Sequence, residues 1–410
     1  MSFILRIFLV FLIIFVIEFY FSWKTTGAIK ILFPNYPRQK IKLFRRIIFS
    51  FLNIYPLFLL GSWIYSASTH GARVSVPESY FFDYLMVYPF WIGIFIIVQS
   101  ILFLLPIDIL KLLLFPLYKK YKKNIIPFLS KVTLILVPLL IVYVPARVIY
   151  DYNSVSVRIT EYKKSGLPDD LNNFKIAFIA DIQADRYTDD TRLERFISKV
   201  NSTHPDLVLI AGDVITSTPN YIETAAEYIG KIKSTYGVYS CVGDHDNWAW
   251  REDNRRSINV ITRNLEKYNV KMIDNGKAVI KVNDSEIGIT FITNTYVERI
   301  SKKKLDSLTN GGAKYDLKIF LTHQPRNYLV DKAVEYKYDL FLAGHTHGGQ
   351  ITFLFPFKNL SPTLFETPFV RGDFMFGNML MVVTRGLGMS LVPVRYNSTP
   401  EVTVIVIGKK

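Results

Sequence analysis

Five short apolar runs in the C-terminal half of this chain each end in an aspartate or a histidine. This repeated placement constrains the fold more than any other feature. Phe174–Ala180 ends in Asp181, Leu207–Ala211 in Gly212-Asp213, and Val238–Val242 in Gly243-Asp244-His245-Asp246. Ile319–Thr322 ends in His323, and Leu340–Ala343 in Gly344-His345-Thr346-His347-Gly348-Gly349-Gln350. Between the runs lie helix-like blocks near 189–201, 220–234, 255–268 and 326–335. A hairpin-like pair, 278–282 and 287–293, turns at Asn283-Asp284-Ser285. Such alternation predicts an α/β sandwich whose ligands sit at the carboxyl edges of the strands. An isolated His-x-His is more often a pair of loop histidines than a metal site. Here four of the six histidines (245, 323, 345 and 347) fall at these strand ends, which reverses that expectation. Imidazoles and carboxylates converging there predict bound metal, and the glycines beside them leave room for it. His70 and His204 fall elsewhere and receive no role.

The first 150 residues have a different character. Of the 410 residues half are hydrophobic, and the mean hydropathy of +0.22 is concentrated in four segments long enough to span a bilayer. They run from Phe3 to Trp23, Ile47 to Ser66, Leu85 to Leu105 and Ile126 to Val144. The third carries Pro89 and Trp91 near its start, where a kink is expected. Ile107 to Tyr118 reads as an amphipathic or re-entrant continuation. The first span carries Glu18 and lacks a small-residue cleavage site, so it reads as a retained helix rather than a signal peptide. Glu18 and Lys131 are read as lying near segment ends, within snorkelling reach of water.

Charge follows the same division. Residues 1–150 hold 16 Lys and Arg against 4 Asp and Glu; the rest hold 33 against 30. The net charge of +15 is therefore mostly a membrane-orienting signal, and no nucleic acid is expected as a partner. Lys24, Lys30, Arg38, Lys40, Lys42, Arg45 and Arg46 separate spans one and two. Lys111, Lys119, Lys120, Lys122 and Lys123 separate three and four. Between spans two and three Arg73 stands against Glu78 and Asp83. The expected arrangement is a multi-pass membrane protein, residues 1–150, followed by an extracytoplasmic domain, 151–410. The single cysteine, Cys241, excludes an internal disulfide and reads as a buried thiol.

The series Asp181-x-Gln183, Gly212-Asp213, Gly243-Asp244-His245-Asp246, His323 and Gly344-His345-Thr346-His347 resembles the calcineurin-like metallophosphoesterase family. That family's pattern is D-x-H, G-D, G-N-H-[DE], H and G-H-x-H. Thr384-Arg385-Gly386-Leu387-Gly388, Pro393-x-Arg395 and Pro400-Glu401 resemble its membrane-attached bacterial branch. The resemblance implies a four-layer α/β/β/α metallophosphoesterase sandwich, here preceded by a helical transmembrane region. It also implies two divalent metals sharing Asp213, with Asp181 and His347 on the first and Asp244, His323 and His345 on the second. A hydroxide shared by the metals would attack phosphorus. His245 would contact a phosphoryl oxygen or protonate the leaving oxygen, and Asp246 would orient His245.

Two positions depart from the pattern. Gln183 stands where the family has histidine, and Asp244 where it has asparagine. Both substitutes are oxygen donors, which makes the site harder and favours Mn²⁺ or Fe over Zn²⁺. Asp185 and Asp189 are candidate substitute carboxylates, and Asn294 is a further strand-end residue. Trp248 and Trp250 suit either a substrate contact or the core. The Phe-, Leu- and Pro-rich segment 351–376 suits either a flap over the site or a membrane-facing lip. Taken together, the sequence predicts a membrane-anchored phosphoesterase acting on a phosphomonoester or phosphodiester, with a membrane lipid or lipid-linked substrate as its partner. The alternative is a non-catalytic membrane sensor or scaffold with a degenerate site.

Overall fold

The computed structural model describes residues 3–68, 77–310 and 314–410; His70 and Arg73 lie outside them. The chain forms two compact units. One comprises residues 1–149 with 353–360, the other 150–352 with 361–410.

The first unit is helical: α1 (Phe3–Leu32), α2 (Arg38–Ser68), the short α3 (Tyr80–Phe82), α4 (Tyr88–Leu113) and the first part of α5 (Phe115–Asn153). Among the described residues, four helical stretches are long and apolar enough to cross a membrane, as the sequence predicts. They extend beyond the expected limits. Lys24 and Lys30 ride on α1 and Arg38 to Arg46 on α2, so the intervening loop shrinks to 33–37. The stretch read as re-entrant is the end of α4 and the start of α5. Near Pro89 the chain makes one π-helical turn, Asp83–Val87. Proline lacks the N–H that would bond the carbonyl four residues earlier, and this wider turn accommodates the loss.

Several polar groups inside this unit are paired. Glu18 lies midway along α1, buried, rather than near a span end, and Asn53 Nδ2 donates to its Oε2 at 2.7 Å. Asp108, which the sequence reading passed over, accepts from Tyr20 Oη at 2.7 Å and from Lys24 and Lys111 Nζ at 2.8 Å each. This cluster holds the basic parts of α1 and α4 together. Buried Gln99 on α4 donates to the Leu354 carbonyl at 2.7 Å and accepts from its N–H at 2.9 Å. Phe353 meets Phe95 edge-on at 5.9 Å. Part of the Phe-rich segment thus packs with the helices.

The second unit holds two six-stranded sheets. The strands are β1 (Ser156–Lys164), β2 (Lys175–Ile179), β3 (Leu207–Ile210), β4 (Val238–Cys241), β5 (Val270–Ile273), β6 (Gly276–Val282), β7 (Ser285–Ile292), β8 (Leu317–Thr322), β9 (Leu340–Ala343), β10 (Gly372–Phe376), β11 (Met379–Val383) and β12 (Glu401–Lys409). Their orders are β1-β12-β2-β3-β4-β5 and β10-β11-β9-β8-β7-β6. The helices α6 (Asp190–Asn201), α7 (Ile222–Gly230) and α8 (Asn254–Lys267) cover the first sheet. The helices α9 (Lys302–Thr309) and α10 (Asn327–Glu335) cover the second.

Strand alternation sorts the side chains into three cores. Ala177, Ile179, Val208 and Ile210 face α6 to α8. Ile176, Phe178, Leu207 and Leu209 meet Ile319, Leu321, Leu340 and Leu342 between the sheets. Phe320 and Phe341 turn to α9 and α10 and stack on each other at 5.0 Å. The result is the four-layer α/β/β/α sandwich. Because β2, β3, β8 and β9 are buried on both faces, they read in sequence as unbroken apolar runs. The hairpin turns at Asn283-Asp284, with Val282 opposite Ser285 and Asn283 at φ 50°. Cys241 is buried, as expected.

Leu342→Ala should cost about 2–5 kcal/mol through the cavity left between the sheets. Thermal unfolding of the detergent-solubilised protein, followed by near-UV circular dichroism, measures it.

Candidate metal centre

Parallel pairing of β2 with β3 and β4, and of β8 with β9, points the carboxyl ends of strands from both sheets toward one edge. Asp181, Asp213 and Asp244 follow strands of the first sheet; His323, His345 and His347 follow strands of the second. Ligand atoms of Asp181, Asp213 and His323 lie within 4.8 Å of one another, and so do those of Asp244, His323 and His345. The two groups share His323, whose Nε2 is 3.3 Å from both Asp213 Oδ2 and Asp244 Oδ2. His345 Nδ1 is 2.9 Å from Asp244 Oδ2, and His347 Nε2 is 3.7 Å from Asp181 Oδ1. Gln183 Nε2 donates to Asp213 Oδ2 at 2.9 Å. All seven residues expected to hold metal are therefore gathered here.

The backbone is bent to deliver them. Asp181, Gln183, Asp213, His345 and His347 have φ between 49° and 70°. Non-glycine residues adopt this left-handed region only where the surroundings hold them there. Two glycines make the close approaches that do so. A Cβ on Gly243 would stand 2.2 Å from Asp213 Oδ1, and one on Gly386 2.6 Å from Asp181 Oδ2. Leu387 and Gly388 then donate backbone N–H groups to the Ala180 and Asp181 carbonyls at 3.0 and 2.6 Å. The Thr384–Gly388 motif thus wraps the first carboxylate.

The donors fit a metal. His323 Nδ1–H donates to the Ala211 carbonyl at 2.6 Å, which leaves the Nε2 lone pair aimed inward without an aligned hydrogen bond. Gln183 Oε1 is likewise buried and unpartnered. Burial pushes the Asp181 carboxyl up, to about 6, against the pull of His323. Burial also acts on Asp213, but His323 and His245 outweigh it and hold the carboxyl near 2. Asp244 is lowered further, its burial outweighed by His323 and His345. His345 is raised to about 9 despite burial, by Asp244 and Glu366. His347 is pushed well down by burial and by the Arg395 guanidinium 3.4 Å from its Nδ1, so it is neutral, the form that ligates metal.

The carboxylate of Asp246 does not orient His245. It accepts from the N–H groups of Asp213 (3.0 Å), Val214 (2.8 Å) and Gly243 (2.8 Å), and so fixes the loop carrying Asp213. His245 is held instead by the Thr216 carbonyl, 2.5 Å from Nδ1, which places Nε2 3.1 Å from Ser390 Oγ. Asp185 accepts from Tyr187 N, Thr188 N and Thr216 Oγ1, and Asp189 caps α6; both are structural. Trp248 meets the His245 ring edge-on at 4.5 Å, whereas Trp250 packs on the core under Arg256. Asn294 reaches the site only through Gln324, at 3.4 Å.

Sequence reasoning missed three contributors. Gln324 Nε2 donates to both Asp244 oxygens at 2.9 and 2.7 Å. Glu366 faces His345 Nε2 at 3.0 Å and Arg326 at 2.6 Å. The Arg395 guanidinium donates to the carbonyls of His347, Arg385, Gly388 and Ser398. Each had a signal: Gln324 follows His323 directly, Glu366 is a rare charge in 351–376, and Arg395 belongs to a motif already singled out.

The seven residues expected to hold metal all lie within a match to known proteins over residues 174–349. Those residues form a calcineurin-like phosphoesterase domain. It is 29% identical over 253 residues to a zebrafish "Transmembrane protein with metallophosphoesterase domain", covering 59% of this chain and 54% of that protein. It is 27% identical over 264 residues to the uncharacterized metallophosphoesterase YkuE of Bacillus subtilis, covering 60% and 82%. The phosphodiesterase YaeI of Escherichia coli is 24% identical over 249 residues, covering 60% and 85%. The chain spans about half the length of the zebrafish relative.

Asp246→Asn should weaken Mn²⁺ binding by about 10–100-fold, because one of its oxygens becomes a donor facing backbone N–H groups. Electron paramagnetic resonance of free Mn²⁺ during titration reads this directly. A residue that merely oriented His245 would leave the affinity unchanged.

Proposed function

We propose that the protein is a membrane-anchored phosphoesterase that hydrolyses a phosphomonoester or phosphodiester at a two-metal site. The overlap of two ligand groups at His323, whose Nε2 stands 3.3 Å from Asp213 Oδ2, carries this reading. Asp181, Gln183, Asp213 and His347 would hold one cation, and Asp213, Asp244, His323 and His345 the other. Such cations supply Lewis acidity toward the phosphoryl oxygens and acidify the attacking water. The oxygen-rich donor set favours Mn²⁺ or Fe.

The chain's own residues do the rest. Asp246, through three backbone N–H groups, fixes the loop on which Asp213 sits. Burial, with the Arg395 guanidinium, keeps His347 neutral. His245 has Nδ1–H committed to the Thr216 carbonyl, so only Nε2 is free to carry a proton to the leaving oxygen, with Ser390 Oγ aligning the ring. The four long apolar helices favour a lipid or lipid-linked substrate over a freely soluble one. The basic ends of α1, α2, α4 and α5 support an arrangement with these ends in the cytoplasm and the phosphoesterase domain outside.

The detergent-solubilised protein loaded with Mn²⁺ should hydrolyse bis(para-nitrophenyl) phosphate and lose that activity with chelator. Asp213→Asn should lower kcat by about a hundredfold or more, since it removes the carboxylate that would hold both cations. Stable Mn²⁺ binding without turnover of any phosphoester would instead establish a scaffold. In intact spheroplasts, external protease should cut the phosphoesterase domain; protection would place it in the cytoplasm.

A further inference from the structure

Beside the metal centre the second unit contains a cavity of about 620 Å³ that the chemistry so far leaves unused. Its charged lining is Arg299, Lys302, Arg326 and Lys332, and no carboxylate lines it. Arg326 is paired with Glu366 at 2.6 Å, and Lys332 with Asp306 and Glu335 at 2.9 and 2.8 Å. Arg299 and Lys302 are exposed and have no ion pair among the described residues. Tyr328 stands in the same wall. Burial raises its hydroxyl's pKa, and Arg299 and Arg326 oppose that rise, so both guanidiniums act on the phenol. The phenol donates to Asn294 Oδ1, and Asn294 contacts Gln324.

The cavity touches the centre through one side chain. Gln324 lines it and also donates to both oxygens of Asp244, at 2.9 and 2.7 Å. Gln324 therefore stands as a wall shared by the metal centre and this basic cavity. A lone arginine or lysine on a surface is ordinarily just solvated. Four gathered around a concavity, two with no counter-charge, make a positive potential that an anion relieves. Guanidinium and ammonium groups bind phosphate through charge-assisted hydrogen bonds. A substrate with a single phosphate places its charge at the metals and leaves this cavity empty.

Resting on the phosphoesterase reading, we propose that the cavity binds a second phosphate on the substrate, so that the preferred substrate carries two phosphates on one molecule. Arg299 and Lys302 confer this preference, and Arg326 and Gln324 form the wall between the two anionic positions. The second phosphate belongs either to a lipid headgroup or to a soluble nucleotide.

The test uses the full chain in detergent with Mn²⁺ and two matched pairs of substrates. The soluble pair is para-nitrophenyl thymidine monophosphate with and without a phosphate on the sugar hydroxyl. The lipid pair is phosphatidylcholine vesicles carrying phosphatidylinositol or its monophosphate. The wild type should favour the doubly phosphorylated member of at least one pair in kcat/KM. Arg299→Ala with Lys302→Ala should reduce that preference by about tenfold or more, the loss expected for charged contacts in an open pocket. Both residues are exposed, so the variant folds; Arg299→Glu with Lys302→Glu should reverse the preference. The responding pair distinguishes lipid from nucleotide. No preference in either pair, or one that survives both variants, overturns the proposal while the phosphoesterase reading stands. Absence of turnover of every probe overturns that reading, and this inference with it.

Discussion

Three aspartates stand almost wholly out of water at the meeting edge of two sheets, and the domain's active edge depends on their neutralisation. Burying carboxylates at this density is unfavourable unless positive charge lies among them. Without a cation, a proton on His323 Nε2, 3.3 Å from two of them, answers part of the need; loss of that proton frees the nitrogen to ligate. The three backbone N–H groups on Asp246 and the carbonyl under His323 fix the same edge from outside. What remains is a negative hollow with lone pairs turned inward, the environment a divalent cation completes.

The arrangement also explains the substitution of glutamine for histidine at position 183. An imidazole would project a single nitrogen. The amide binds Asp213 with its nitrogen and leaves its oxygen free in the hollow. Aspartate at 244 adds a negative charge, and the structure surrounds it with Gln324, His323 and His345. The two departures from the family pattern therefore sit in a network that accommodates them.

Much of this was legible in the sequence because buried strands leave an unmistakable trace. The runs before Asp181, Asp213, Asp244, His323 and His345 are apolar without alternation because both faces are covered, so their polar ends stand out. β1, β5, β10, β11 and β12 were not read as strands; β11 and β12 are buried apolar runs, but neither ends in the aspartate or histidine that marked the others. In β1 and β10 half-buried and exposed residues alternate, and apolar periodicity is weak there. Helix α9, with Lys302 to Lys304 in its first turn, looks like a solvated loop. The role of Asp246 was misread because proximity in sequence to His245 suggested contact, whereas the 3₁₀ turn at His245–Asn247 directs the two side chains apart. The charged pairing of α1 with α4 at Asp108 was hidden for a related reason: the partners are 84 residues apart.

The placement of β12 bears on how the molecule is made. This last strand lies between β1 and β2 in its sheet, and the stretch just before it supplies Gly386 against Asp181 and Arg395 against His347. While the ribosome is still adding residues 384 to 409, the first carboxylate lacks its backbone collar and the sheet has a gap beside β2. A site completed by these contacts would therefore take up cations only after residues 384–409 have emerged and closed the gap beside β2.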